Sequence, residues 1–160
     1  MTCGVALVMT ALFAASGSGA DDRGPGLMRP RVPADQLEAA RALTNPLPDS
    51  PYVIAQGKLM YEGKGTCVTC HGTNGRGDGP AAAGLQPSPR NFHHRGLWRH
   101  RSEGELFWVV KHGSPGTGMP AFGASLSDED IWSILRYERT FAPQGGPMHG
   151  PGAGHGRHAR

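Results

Sequence analysis

Apolar residues between positions 51 and 141 recur every three or four positions, which is the spacing of one face of an α-helix. The first predicted helix covers about residues 53–61. A second begins where Ser102 and Glu105 form a capping box, the side-chain pattern that satisfies free backbone N–H groups at a helix start. Gly113 ends this helix, since glycine readily adopts the backbone conformation that follows a last helical turn.

A third helix is predicted to begin at Ser127 and Asp130, which resemble another capping box, and to reach about Phe141. Its apolar face contains Ile131, Ile134 and Leu135. No segment of the span alternates apolar and polar residues for long enough to indicate a sheet. The predicted fold class is therefore all-α.

The segments on either side of this span differ from it in composition. Residues 21–50 are rich in Pro, Arg and Asp and are predicted to form a Pro-rich N-terminal arm with one short helix over about residues 34–43. Residues 142–160 contain Gly, Pro and His but no acidic residue, and they cannot bury enough surface to offset the entropy of ordering. We therefore expect a disordered tail. The tail histidines, expected to bind a divalent metal only weakly, are His149, His155 and His158.

Residues 1–20 have the features of an export signal. They carry no charge, contain an apolar stretch from Val5 to Ala15 and end in small residues, which predicts cleavage after Ala20. The apolar stretch is shorter than the roughly 20 residues that cross a bilayer. We expect a periplasmic or otherwise exported protein. Because no Lys or Arg lies near the start, two alternatives remain, a true start further upstream or an uncleaved anchor. Membrane association is therefore left open.

Composition limits the size of the folded core. The chain has 160 residues, among them 25 glycines and 14 prolines, which leaves room for one modest domain. Hydrophobic residues make up 38% and aromatic residues 7%, so we expect a buried non-protein group to fill part of the interior. The formal charge is +3, and the basic cluster at residues 90–101 suits an acidic protein partner. Nucleic acid binding is not implied.

The chemistry is concentrated in residues 67–71, which read Cys-Val-Thr-Cys-His. Two cysteines at this spacing lie on one helical turn, so that both thiols reach the vinyl groups of a haem and His71 becomes the proximal iron ligand. A redox dithiol would follow a strand, and a zinc ribbon would need a second pair of ligands. A simple disulfide between Cys67 and Cys70 remains the alternative. The predicted cofactor is one covalently bound haem c with its iron.

The sixth iron ligand is predicted to be Met119. It lies in a Gly-Thr-Gly-Met-Pro-Ala-Phe loop, where glycines let the backbone approach the porphyrin and Pro120 stiffens the chain. A thioether ligand raises the reduction potential relative to a second imidazole. An ordinary core methionine is the structural alternative. The other candidate ligands are Met60, Met148, His93, His94, His100 and His112.

With these motifs, residues 51–141 resemble a class I, mono-haem cytochrome c domain. The resemblance rests on the haem-binding pentapeptide, the Gly-x-x-Gly-x-Gly-Asp-Gly-Pro loop at residues 72–80, the Gly-Met-Pro loop at Met119 and a closing helix with Trp132 and Tyr137. It implies a small helical domain wrapped around one covalent haem.

The resemblance also assigns roles to further residues. It implies that the first and last helices cross at a glycine and aromatic rings, matched here by Gly57, Tyr61 and Tyr137. The carbonyl of Pro80 would accept a hydrogen bond from the proximal histidine Nδ1 and fix its tautomer, although Pro80 also suits a plain turn. Trp98 and Arg99 would contact the haem propionates, although an aromatic ring packed under a loop is an equally simple interpretation of Trp98.

The expected function follows from a closed iron. If His71 and Met119 both bind it, no position is left for a substrate, so we expect an electron carrier that is not an enzyme and that meets redox protein partners. One alternative is a haem-bearing subunit of a respiratory or dehydrogenase complex, with residues 21–50 as its docking arm. A second alternative is a haem enzyme or gas sensor in which Met119 does not bind the iron.

Overall fold

The computed structural model describes residues 31–143. Within this part the chain forms six helices and no strand, which confirms the all-α prediction. The predicted export signal, the start of the arm, Met148 and the tail with its histidines lie outside the described residues. The helices are α1 (Leu37–Ala42), α2 (Pro51–Glu62), α3 (Val68–His71), α4 (Arg95–His100), α5 (Glu103–His112) and α6 (Asp128–Arg139).

Local capping explains where the long helices begin. The Ser102 hydroxyl accepts from the Glu105 N–H while the Glu105 carboxylate accepts from the Ser102 N–H, so the predicted capping box of α5 is confirmed. Ser127 and Asp130 form the same pair of bonds at α6. Helix α2 starts at Pro51, a residue suited to the first helical position because no N–H is needed there.

Helices α2 and α6 form the main helix contact of the domain. Gly57 lies so close to the Ser133 carbonyl that a Cβ at position 57 would clash with that backbone oxygen. One turn further along, the rings of Tyr61 and Tyr137 meet edge to face with 5.3 Å between centroids. The predicted crossing at Gly57, Tyr61 and Tyr137 is therefore present. Tyr61, Ile131 and Ile134 are fully buried beside it.

The described part of the N-terminal arm, residues 31–50, is packed against the helices. Ala40 of α1 is buried, and its carbonyl oxygen lies against Gly104 of α5. The Asn45 side chain donates to the Trp132 carbonyl at 3.1 Å, which attaches the segment after α1 to α6. This segment is therefore part of the folded domain.

Helix α4 is absent from the sequence prediction because it has little periodic pattern. Its six residues follow His94, whose Nδ1 accepts from the Gly96 N–H and caps the first turn. No helix among residues 31–143 is long and apolar enough to cross a bilayer.

Candidate functional site

An open cavity of about 250 Å³ lies between α3, α5, α6 and the two loops that follow α3 and α5. It brings together both predicted attachment cysteines and both predicted iron ligands, although Met119 is far from the others in sequence. Its walls are mainly apolar. The predicted residues that line it are Cys67, Cys70, His71 and Met119.

Helix α3 is a single turn with Cys67 at its N-cap and Cys70 within it, and both cysteines line the cavity. The His71 N–H donates to the Cys67 carbonyl at 2.8 Å and closes this turn. Both thiols are free, so the simple disulfide is not formed. Burial, with a smaller contribution from Glu138, raises the pKa of Cys67 to about 12. Because reactive dithiols need a lowered thiol pKa, this environment does not suit a redox dithiol.

The His71 side chain is anchored by a backbone carbonyl. Its Nδ1 lies 3.0 Å from the Arg90 carbonyl oxygen. A carbonyl oxygen only accepts, so Nδ1 carries the proton and the Nε2 lone pair is available to a metal. Burial lowers the pKa of His71, which favours the neutral imidazole that ligation requires.

The prediction that Pro80 supplies this carbonyl is wrong. The loop after α3 turns back along that helix, where the Gly79 N–H donates to the Cys70 carbonyl at 3.1 Å and the Ala81 N–H donates to the Thr69 carbonyl at 2.9 Å. These bonds hold Pro80 at an exposed position outside the cavity. A later proline, Pro89, lies in the cavity wall just before Arg90. In the sequence, this proline could have marked the segment whose carbonyl contacts His71.

The Met119 loop is held by its own hydrogen bonds. The Met119 N–H donates to the Thr117 hydroxyl at 3.2 Å, and the Ser114 N–H donates to the Met119 carbonyl at 3.2 Å. Met119 is half-buried and packs against the core. Among the described candidates for the sixth ligand, it is the one that lines the cavity. The candidates that do not line it are Met60, His93, His94, His100 and His112.

Trp98 and Arg99 do not line the cavity, so its lining gives no support to their predicted contact with the haem propionates. The Trp98 indole N–H donates to the Phe92 carbonyl at 2.6 Å, and the Arg139 guanidinium lies 5.0 Å from the Trp98 ring centroid. Trp98 is thus the aromatic residue packed beneath a loop. The arginines in the cavity wall are Arg31, Arg90 and Arg101.

Two glutamates line the cavity although the sequence did not predict them to do so. Glu105 is 2% exposed, and its Oε1 has no hydrogen-bond partner among the described residues. Glu138 is 6% exposed. It lies on the same face of α6 as Ile131 and Leu135, so the helical spacing of these residues could have predicted that Glu138 is buried.

The residues present fit a haem. Two thiols on one turn match its vinyl groups, a neutral imidazole and a thioether are iron ligands, and arginine side chains complement its two carboxylates. Residues 31–143 contain no group of three His, Cys, Asp or Glu side chains that would hold a bare metal ion. The apolar side chains that would contact a porphyrin include Leu85, Leu97, Leu106, Val109, Val110, Phe122 and Leu135.

Comparison with known proteins identifies similar sequences and folds. Residues 53–137 match a family model described as cytochrome c oxidase, cbb3-type, subunit III. No curated protein matches the chain. A chain of the reducing HAO-like protein complex of Kuenenia stuttgartiensis is 31% identical, with a TM-score of 0.57 over 64% of this chain and 49% of that chain. The present chain thus spans about half the length of that relative.

A second solved structure has lower similarity. Cytochrome CL of the marine methylotrophic bacterium Methylophaga aminisulfidivorans is 17% identical, with a TM-score of 0.45 over 66% of this chain and 62% of that chain.

Proposed function

The chain belongs to the cytochrome c family whose model describes subunit III of cbb3-type cytochrome c oxidase, and we propose that it carries one haem c with His71 and Met119 as axial ligands and transfers single electrons. The observation that carries the proposal is the meeting of these two residues with Cys67 and Cys70 around one apolar cavity. The bound haem supplies a one-electron couple between ferric and ferrous iron.

The protein keeps the cofactor in place and limits what it can react with. Cys67 and Cys70 attach it covalently, and the Arg90 carbonyl holds the His71 ring in the tautomer that ligates. Met119 would occupy the iron position left open by His71, which would exclude substrates from the iron. We therefore favour an electron carrier over an enzyme or a gas sensor.

The surface charge supports a protein partner of opposite sign. Helix α4 and the residues flanking it carry Arg90, Arg95, Arg99 and Arg101. Arg95 and Arg99 are exposed, and their charge favours docking onto an acidic redox protein. The uncharged segment at residues 1–20 supports an exported location. A mature N-terminus at Asp21 would establish this, and a retained residue 1 would contradict cleavage.

A fixed subunit of a redox complex is the second candidate. The matching family model describes an oxidase subunit, and the Kuenenia relative is part of a protein complex. Gentle membrane extraction followed by size-exclusion chromatography distinguishes a diffusible carrier from a complex subunit. A diffusible carrier elutes as a small single chain, whereas a subunit elutes with its partner and the haem absorbance moves to large size.

The ferric absorption spectrum tests the proposed axial ligands. We expect a low-spin spectrum with the weak near-infrared band of a sulfur-to-iron charge transfer. A high-spin spectrum with ready cyanide or peroxide binding would instead support an open iron and the enzyme or sensor function.

A further inference from the structure

A carboxyl group without a charged partner lies beside the predicted cofactor position. Glu138 is on the buried face of α6, one turn after Ile134 and Leu135, and it lines the cavity. Its carboxyl makes no hydrogen bond or ion pair with any residue in the range 31–143. An acidic side chain is rarely buried in this way without a partner.

The groups facing Glu138 do not neutralise it. The charge of Glu138 acts on Tyr61 of α2 and on the Cys67 thiol, and both of these groups are weak acids. Burial raises the pKa of Tyr61, and the same effect raises the pKa of Glu138 to about 8. Tyr137, on the same helix, also has a raised pKa. The ionisable and charged groups elsewhere in the cavity wall are Cys70, His71, Arg31, Arg90, Arg101 and Glu105.

An iron held by His71 and Met119, which line the same cavity as Glu138, would change its charge by one unit each time it accepted or gave up an electron. A carboxylate in an apolar site is stabilised by the extra positive charge of ferric iron and loses that stabilisation when the iron is reduced. Glu138 has no cation paired with it in the described part of the chain. The change in iron charge therefore shifts its pKa more than it would shift the pKa of an ion-paired carboxylate.

We propose that Glu138 is a redox-linked proton site, which binds one proton from solvent when the haem accepts an electron and releases it when the electron leaves. The balance is one electron from the donor to iron and one proton from solvent to a Glu138 carboxylate oxygen, with no other bond changed. This inference rests on the proposed function, since it needs a haem iron beside the cavity wall. It adds proton transfer to electron transfer.

The pH dependence of the reduction potential of the holoprotein tests the inference. In the wild-type protein we expect the potential to fall with rising pH over an interval near neutrality, with a limiting slope of one proton per electron. Glu138→Gln keeps the shape of the side chain and removes the titration, so this interval should become flat. Glu129→Gln changes an exposed carboxyl on the same helix and should keep the wild-type slope.

A second measurement starts with the wild-type protein, so its first result needs no variant. Reduction of the wild-type holoprotein in weakly buffered solution should take up protons, detected with a pH indicator. The infrared difference spectrum should gain the C=O band of a protonated carboxyl, and Glu138→Gln should lose this band.

Two results would overturn the proton site and leave the electron carrier intact. One is a haem-loaded, low-spin wild-type protein whose potential is flat and whose reduction takes up no proton. The other is an unchanged slope in Glu138→Gln. Failure of the proposed function appears differently, as a wild-type protein without covalent haem or with a high-spin iron.

Discussion

The imidazole of His71 and the ring of Phe92 are stacked, with 4.7 Å between centroids and 15° between planes. Phe92 lies two residues after Arg90, whose carbonyl lies within hydrogen-bonding distance of the same imidazole. The segment from Arg90 to Phe92 therefore fixes both the tautomer and the ring plane of His71, the proposed proximal ligand.

Phe92→Leu should loosen the ring plane of His71. We expect broadened and shifted g-values in the electron paramagnetic resonance spectrum of the ferric protein, with a loss of about 1 kcal/mol of stability. Phe107→Leu is the matched control, because Phe107 is equally buried and stacks on Trp132 at 4.2 Å, outside the cavity. Equal spectral changes in both variants would contradict a specific role for the stack.

Met119→His should lower the reduction potential and leave the iron low-spin, because imidazole stabilises ferric iron better than a thioether does. Met119→Ala should open the site and produce a high-spin or water-bound iron that binds carbon monoxide. Potentiometry and visible spectra measure both changes. Met60→Ala, which alters a methionine packed on the core outside the cavity, should leave them unaltered. If the Met119 variants keep the wild-type spectrum, Met119 is a packing residue.

Cys67→Ala and Cys70→Ala should each reduce the yield of covalently bound haem, since each removes one thioether. Denaturing gels stained for haem peroxidase activity measure the yield after expression with a haem-attachment system. Thr69→Ala lies on the same turn and should stain like the wild-type protein. An unstained wild-type band would overturn covalent attachment.

Protein stability should fall as pH rises between about 4.5 and about 8, because the folded chain then holds a proton at Glu138 that the unfolded chain has released. One pKa unit is worth about 1.4 kcal/mol, so the effect reaches a few kcal/mol. Glu138→Gln should flatten the curve, as measured by urea unfolding of the reduced holoprotein, the state in which Glu138 holds its proton, at pH 5 and pH 8. An identical pH dependence in Glu138→Gln and Glu129→Gln would contradict this.

Gly104→Ala should weaken the packing of α1 on α5, because the added Cβ would clash with the Ala40 carbonyl oxygen. We expect a loss of about 1–3 kcal/mol, measured by thermal or urea unfolding. Gly96→Ala is the control, since its new Cβ would meet only the exposed side chains of His94 and His100 and no backbone atom of another helix. Equal stability of the two variants would mean that α1 can move away at little cost.

The parts of the molecule that depend on near neighbours in sequence were predictable. Ser102 with Glu105 fixed a helix start, and the Cys-Val-Thr-Cys-His run fixed the order of thiols and imidazole on one turn. The partner of His71 was not predictable in this way, because it depends on the path of a long loop in which several prolines compete. Glu138 was missed because an acidic residue is normally assigned to the solvent side of a helix.

The contact between Gly57 and Ser133 has a consequence for the order of events during synthesis. These residues are far apart in the chain, so helices α2 and α6 cannot meet until nearly the whole domain has emerged. Cys67 and Cys70 emerge well before α6 and remain accessible until it arrives. Because α2 packs against α6 only late, there is an interval in which an attachment enzyme can reach both thiols before the domain folds around them.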